Sequence, residues 1–421
     1  MKKIHFLLIG IACFMSCSSY KPLTKKLRYE LNTSFFENQF SGLFVYDPVS
    51  GDTLINYNGD KYFTPASNTK IFTLYSAISL LPEFLPSMQY TTANGEMYIK
   101  GVGNPATLHP VLKDSSLINF LKKQQHINLY SDNLEDTPLG PGWAWDDFDA
   151  YYSPQRSPLP VYGNIVRLYK NDSLFVSVES LRAHVELKDA PYSRAVSKNE
   201  FFLSPAQKDT IEVPFIVDST LIRQILENQT GQTIKIVDHF PAGKKKTVYG
   251  IAADSVYKQL MQVSDNFIAE QLLIMSSSSL GDTLSSAKTR AYILENNLEG
   301  IQYKPRWVDG SGLSRYNLFT PSSMVYTLNE LYQKIPTQTL YDIFPTGGES
   351  GTLEHYFKGN PRPYIHAKTG SLSNNYCLSG YLVTNSGKTL IFSFMNNHYR
   401  QSSSELKAKM AQILESIRDH Y

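Results

Sequence analysis

Cysteine is scarce: Cys13, Cys17 and Cys377 are the only three in 421 residues. Two of them fall at the extreme N-terminus, which excludes a disulfide-stapled scaffold. An excess of one charge is also missing. Forty Lys and Arg stand against 38 Asp and Glu, for a formal charge of +2. Loss of Lys2 and Lys3 with a leader would leave zero. That balance gives no electrostatic case for nucleic acid. The basic run Lys244-Lys245-Lys246 follows Pro241-Ala242-Gly243 and reads as a solvated turn. The nine histidines show no His-Glu-x-x-His or similar ligand spacing, so no metal is expected. No Gly-x-Ser-x-Gly elbow stands between a strand and a helix, which argues against a Ser-His-Asp hydrolase. Gly101-x-Gly103 is too short for a dinucleotide loop and lacks the following helix, so no cofactor is expected. Internal repeats and low-complexity segments are absent.

What is present is a soluble, globular composition, 42% hydrophobic and 19% charged. The 28 Tyr and 22 Phe favour strands and groove-lined surfaces. Residues 1–17 read as a targeting segment: Lys2 and Lys3, an apolar stretch from Phe6 to Met15, then Phe14-Met15-Ser16-Cys17. The apolar stretch is too short to span a bilayer as a mature helix. The last four residues resemble a lipoprotein box, with Cys17 lipidated as the new N-terminus; ordinary secretory cleavage nearby is the alternative. Either way the chain is exported, to a periplasmic location with a lipid anchor in the first case. Cys377 then stands alone between Tyr376 and Leu378, as a packed strand residue.

The chain turns on Thr64-Pro65-Ala66-Ser67-Asn68-Thr69-Lys70. Thr64 and Pro65 suit the start of a helix. Ile71, Leu74, Tyr75, Ile78 and Leu81 continue it at helical spacing, and Pro82 ends it. That reading puts Ser67 in the first turn, near the positive end of the dipole, with Lys70 on the same face. A serine needs a base, and a lysine serves when burial or a neighbouring cation lowers its pKa. Alone, Ser-x-x-Lys is weak, because such pairs are common on solvated helices.

A hairpin precedes this helix, Ser41 to Tyr46 and Thr53 to Tyr57, after a short helix from about Leu23. Residues 87–253 read as an inserted region of one or two small mixed domains. Its short strands are expected at Gln89–Thr92, Glu96–Lys100, Phe175–Val185, Phe201–Leu203, Ile211–Phe215 and Thr233–Val237, with helices at Leu117–Gln124 and Leu221–Glu227. Helical periodicity returns from Asp254 to Met275. Ser264-Asp265-Asn266 interrupts it, as a turn whose Ser264 and Asn266 face one cleft or as a plain helix cap. A tight loop, Asp309-Gly310-Ser311-Gly312, leads to a second cap-and-proline start at Thr320-Pro321. Lys368-Thr369-Gly370 then lies on a strand ahead of an antiparallel pair, Tyr376–Thr384 and Thr389–Met395. Here Lys368 supplies a fixed cation, Thr369 a hydroxyl for a carboxylate, and Gly370 room for close backbone approach. A last helix, about Ser404–Ile417, carries Leu406, Met410, Ile413 and Ile417 on one face.

Ser67-x-x-Lys70, Ser264-Asp265-Asn266 and Lys368-Thr369-Gly370, in that order, resemble the three motifs of the serine penicillin-recognising enzymes. Ser264 follows Ser67 after about 200 residues, far more than a β-lactamase needs. Asp309-Gly310-Ser311-Gly312-Leu313-Ser314-Arg315-x-Asn317 and Gly348-x-Ser350-Gly351-Thr352-Leu353 resemble the signature of peptidase family S13. These are the class C low-molecular-mass penicillin-binding proteins, D-alanyl-D-alanine carboxypeptidases that are also endopeptidases. Gly101-x-Gly103-Asn104-Pro105 and Trp145-Asp146-Asp147 are similar to family segments, with Asn104 where the family usually has Asp.

The resemblance implies an α+β, penicillin-binding transpeptidase or serine β-lactamase-like fold: a five-stranded antiparallel sheet with helices on both faces. The peptidase domain is expected at residues 24–86 and 254–421, with the insertion at 87–253. It further implies Ser67 as nucleophile on D-Ala-D-Ala, Lys70 as base, and Ser264 as proton relay coupled to Lys70 and Lys368. Asn266 would hold the peptide amide. Thr369 and Lys368 would hold the carboxylate, and backbone N–H groups of Ser67 and Ser371 the oxyanion, beside Gly370. The partners would be peptidoglycan peptides, with β-lactams as inhibitors that deacylate slowly. Asp147 and Arg315 are candidates to recognise a diamino-acid side chain; a solvated loop charge and a loop-bracing ion pair are the alternatives. A β-lactamase on the same fold and a non-catalytic wall-binding protein are the rival readings.

Overall fold

The structure, a computed structural model, describes residues 20–421. The leader and Cys17 lie outside the described residues. The chain packs as two compact units. One runs up to Asn68 and takes in Ile301–Arg306 and Leu318–Tyr421; the other comprises Thr69–Gly300 and Trp307–Asn317.

The first unit is built on a five-stranded antiparallel sheet, ordered Ile365–Leu372, Asn375–Val383, Thr389–Asn397, Phe40–Tyr46, Thr53–Tyr57. Asn375–Val383 is buried at all but its last residue, as a strand covered on both faces must be. Tyr376, Leu378 and Leu382 join the core formed with helices Lys21–Leu31 and Ser403–His420. Leu23, Leu27 and Leu31 recur once per turn on the first helix, and each buried Leu contributes about 1.5–3 kcal/mol. The second helix starts on a capping box between Ser402 and Glu405 and buries Leu406, Met410, Ile413, Leu414 and Ile417. Side chains alternate across a strand, so Tyr381 points to the other face, where its hydroxyl donates to the Leu328 carbonyl of helix Pro321–Lys334. Thr320 and Ser323 cap that helix reciprocally. Cys377 is buried, and burial pushes its thiol up to about 12.

In the second unit a mixed sheet runs Ile234–Val237, Ile127–Tyr130, Glu96–Gly101, Phe84–Ala93, Lys246–Ala252. A three-stranded sheet, Ile211–Pro214, Ile165–Lys170 and Leu174–Val176, shares its apolar core. Helices Lys70–Leu80 and Asn266–Ser276 pack together, and the second is buried along almost its whole length. A helix with apolar residues on every side belongs in an interior, and its polar Glu270 and Gln271 are buried with them.

Several local expectations fail for identifiable reasons. The strand expected at Gln89–Thr92 begins earlier, at Phe84, with Pro86 beside a register shift in its pairing. The expected strand Phe175–Val185 is split by a 3-10 turn, Glu179–His184, in which Leu181 is buried. Lys246 opens a strand rather than completing a turn. Ile127–Tyr130 and Ile165–Lys170 are too short to stand out by periodicity.

Candidate active site

Ser67 does not sit in the first turn of an α-helix. Ala66–Thr69 form a 3-10 turn, and the α-helix starts at Lys70. Thr64 caps nothing with its side chain. Its backbone is clasped instead by Asn397, which accepts from the Thr64 N–H at 2.7 Å and donates to its carbonyl at 3.1 Å. The break comes at buried Ala66, whose φ of 48° is left-handed and rare without glycine. Ser67 is thus presented on a strained turn that leads into helix Lys70–Leu80.

Within the first unit, the next residue ties this turn to the sheet. Asn68 Nδ2 donates to the Lys368 carbonyl at 2.8 Å, and Asn68 Oδ1 accepts from Ser379 Oγ at 2.6 Å. The motif spells Asn68 only as a variable position, so nothing local marks it. At Gly370 a Cβ would stand 2.4 Å from the Pro65 carbonyl oxygen and 2.9 Å from the Asn68 nitrogen, so only glycine lets strand and turn meet. Lys368 is fully buried and donates to the Thr369 carbonyl at 2.8 Å. Thr369 Oγ1 donates to Thr352 Oγ1 at 2.8 Å, which draws the Gly351-Thr352-Leu353 signature to the same strand. Ser371 is exposed on that strand.

The second unit holds Lys70. Its ammonium is fully buried and donates to Asn266 Oδ1 and to the Ser311 carbonyl, each at 2.7 Å. Burial lowers its pKa to about 8, against the opposing pull of Asp309, Asp265 and Glu270. Ser264 lies between helices Ala253–Gln262 and Asn266–Ser276 with φ 63°. The cap there is neither Ser264 nor Asn266 but Asp265, whose carboxylate accepts from the Ile268 N–H at 2.9 Å. Asn266 is left to bridge Lys70 and the Tyr152 carbonyl, to which its Nδ2 donates at 2.9 Å.

Asp309 is the knot of its loop. It accepts from the N–H groups of Gly312 and Ser314 and from the side chains of Asn317 and Trp143, at 2.6–2.9 Å. Glu270, which belongs to none of the motifs, accepts from the Ser311 N–H at 2.7 Å. It is buried on the helix of the second motif, and a charged residue inside an otherwise apolar run was the available signal.

Asp147 is half-buried in the 3-10 turn Trp145–Asp147 and accepts from the Tyr152 hydroxyl at 2.7 Å. That bond, with burial, raises Tyr152 to about 12. Asp147 therefore reaches Asn266 through a single residue, Tyr152. Arg315 is exposed. Asn104 is buried and uses its amide, donating to the Pro86 carbonyl and accepting from the Ala106 N–H, both at 2.8 Å. An ionised Asp could not donate the first of these.

D-alanyl-D-alanine carboxypeptidase DacB of Haemophilus influenzae is 22% identical, over 100% of this chain and 99% of that protein. D-alanyl-D-alanine carboxypeptidase of an Actinomadura species is 26% identical, over 86% of this chain and 78% of its own length. Among solved structures, penicillin binding protein 4 from H. influenzae superposes with a TM-score of 0.70 at 20% identity, over 94% of this chain and 98% of that one, which shows the shared fold. The family profile matches residues 23–214 and 254–417, so this chain belongs to the D-Ala-D-Ala carboxypeptidase 3 (S13) family.

Proposed function

We propose that the chain is a serine D,D-peptidase that cuts the D-Ala-D-Ala end of peptidoglycan stem peptides, or a D,D cross-link, through an acyl-enzyme on Ser67. The observation that carries the assignment is Lys70. A fully buried lysine whose pKa is lowered to about 8, three residues after a serine on a strained turn, can give up its own proton and take the serine's. Ser67 Oγ adds to the penultimate carbonyl as its proton passes to Lys70. The tetrahedral intermediate collapses, the C–N bond breaks, and Ser264 relays a proton to the departing amine. Water then opens the ester, and the serine regains its proton. Asn266 holds the peptide amide, Thr369 and Lys368 the terminal carboxylate, and the Ser67 and Ser371 N–H groups the oxyanion, each such donor being worth about 3 kcal/mol. A β-lactam enters the same path and stalls as the acyl-enzyme.

The test is intact mass after benzylpenicillin, with the modified peptide mapped, for the native chain and Ser67→Ala. A stable adduct on Ser67, lost in the variant, supports the reading. Consumption of the penicillin without an adduct would make the chain a β-lactamase. Intact penicillin and no adduct would favour a non-catalytic wall-binding protein.

The leader motif supports export and a lipid anchor on Cys17. Metabolic labelling with palmitate should mark the chain and fail on Cys17→Ser; equal labelling of both would exclude the anchor at that residue.

A further inference from the structure

The reaction described above gives no task to Glu270. This residue lies on helix Asn266–Ser276, one turn beyond Asn266, and is 1% exposed. Its Oε1 accepts from the Ser311 N–H at 2.7 Å, while the carbonyl of that same Ser311 accepts from Lys70 Nζ at 2.7 Å. Carboxylate and ammonium thus grip one residue from either side of its Cα. Among the described residues Glu270 Oε2 has no hydrogen-bond partner, and Arg156 Nη1 stands 3.6 Å away. A buried carboxylate with one orphaned oxygen is expensive, and a glutamine or an apolar residue would be cheaper if packing were all that mattered.

We propose that Glu270 is a positioning residue for the acylation step: it fixes the Ser311 carbonyl that receives the Lys70 ammonium, and its negative charge holds the proton on Lys70. The proposal rests on the reading of Lys70 as the base.

The surroundings give the charge room to act. Facing Glu270 are Asp309 and Ser311 from the loop, Arg156, Arg290 from helix Ser286–Asn296, and Lys70 from its own helix, with Asp136 beside Arg156 and Arg290. Burial, reinforced by Asp309, pushes the Glu270 carboxyl up to about 7, against the pull of Arg156. Glu270 and Lys70 therefore exchange protons with solvent in neighbouring pH ranges. With that charge acting on Lys70, each group should favour the charged form of the other, and the two should titrate as a pair.

The experiment is the pH profile of Ser67 acylation by benzylpenicillin in the native chain, Glu270→Gln and Glu270→Asp, with thermal melting of each. Glu270→Gln keeps an acceptor for the Ser311 N–H but loses the charge. Lys70 then holds its proton less tightly, and the rising limb should move to lower pH by about half a unit or more. Glu270→Asp keeps the charge but is one methylene short of Ser311. Its limb should stay near the native midpoint while its rate falls. In the native chain the pair should spread the limb over more than the roughly two pH units of a single proton. An unmoved limb in Glu270→Gln overturns the proposal. If neither variant folds, a native limb of single-proton steepness overturns it, and a broadened one supports it. Failure of the native chain to form any Ser67 adduct would instead overturn the reading of the site.

Discussion

Asn68 Nδ2 donates to the Lys368 carbonyl at 2.8 Å, so the residue beside the nucleophile is tied to the strand that carries the third motif. The same side chain takes the Ser379 hydroxyl at 2.6 Å. Asn68→Ala should orphan both partners, at a cost of about 1–3 kcal/mol. It should also loosen the turn that presents Ser67, and acylation by benzylpenicillin should fall by roughly 10–100-fold, since small displacements of a reacting group are that costly. Calorimetry and stopped-flow acylation together check this. A variant that melts and acylates like the native chain would show that the turn is held elsewhere.

Lys70 makes a pH prediction with a definite sign. Burial holds its pKa near 8, below the ordinary 10.5 of lysine. Only the neutral amine can take the serine proton. Acylation should therefore rise with pH through about 8 and level off above it, where an ordinary lysine would still be charged. Second-order rates measured from pH 5 to 10 decide the matter. A rate still climbing at pH 10, with no plateau above 8, would mean that the lowered pKa of the buried amine does not govern the step.

Gly370→Ala should fail sterically. The added carbon would have to displace the Pro65 carbonyl and the Asn68 nitrogen, both backbone atoms that have nowhere to go. Overpacking of this kind costs about 1–3 kcal/mol. The shift would fall between the nucleophile's turn and the Lys368 strand, so activity should drop by at least as much as stability. Unchanged acylation in a folded Gly370→Ala would show that the close approach is not needed for the chemistry.

Much of this site could be read in the sequence because its chemistry is written in local runs. Ser67 with Lys70, Ser264 with Asn266, and Lys368 through Ser371 each fall within a few residues, and glycines and prolines punctuate the elements around them. What escaped was long-range. Asn68 matters because Ser379 and Lys368 lie across a sheet from it, about 300 residues later in the chain. Glu270 matters because Ser311 folds back over it. The start of the nucleophile's helix was misplaced because Ala66 adopts a positive φ that its side chain does not advertise, and because Asn397 rather than a local cap takes up the Thr64 backbone. In the inserted region, strands of three or four residues such as Leu174–Val176 and Ile127–Tyr130 draw their stability from neighbours in the sheet, and propensity alone does not reveal them.

Asp147 yields a prediction about substrate choice. Its carboxylate accepts from the Tyr152 hydroxyl, and the Tyr152 carbonyl receives the amide of Asn266. A charge that recognises a substrate amine would be separable from the brace for Tyr152. Asp147→Asn removes the first and can keep the second, because the amide oxygen still accepts from the phenol. On stem peptides with a free amine on a diaminopimelate side chain, kcat/KM should fall by about tenfold, the worth of one charge-assisted hydrogen bond. On simple D-Ala-D-Ala peptides it should stay within about twofold of native, because no partner for that charge is present. Tyr152→Phe should give the converse pattern: the brace is cut while the charge remains, and both substrates should lose activity together. Equal losses on both peptides in Asp147→Asn would assign Asp147 to the brace alone and would leave the recognition of the amine to other residues.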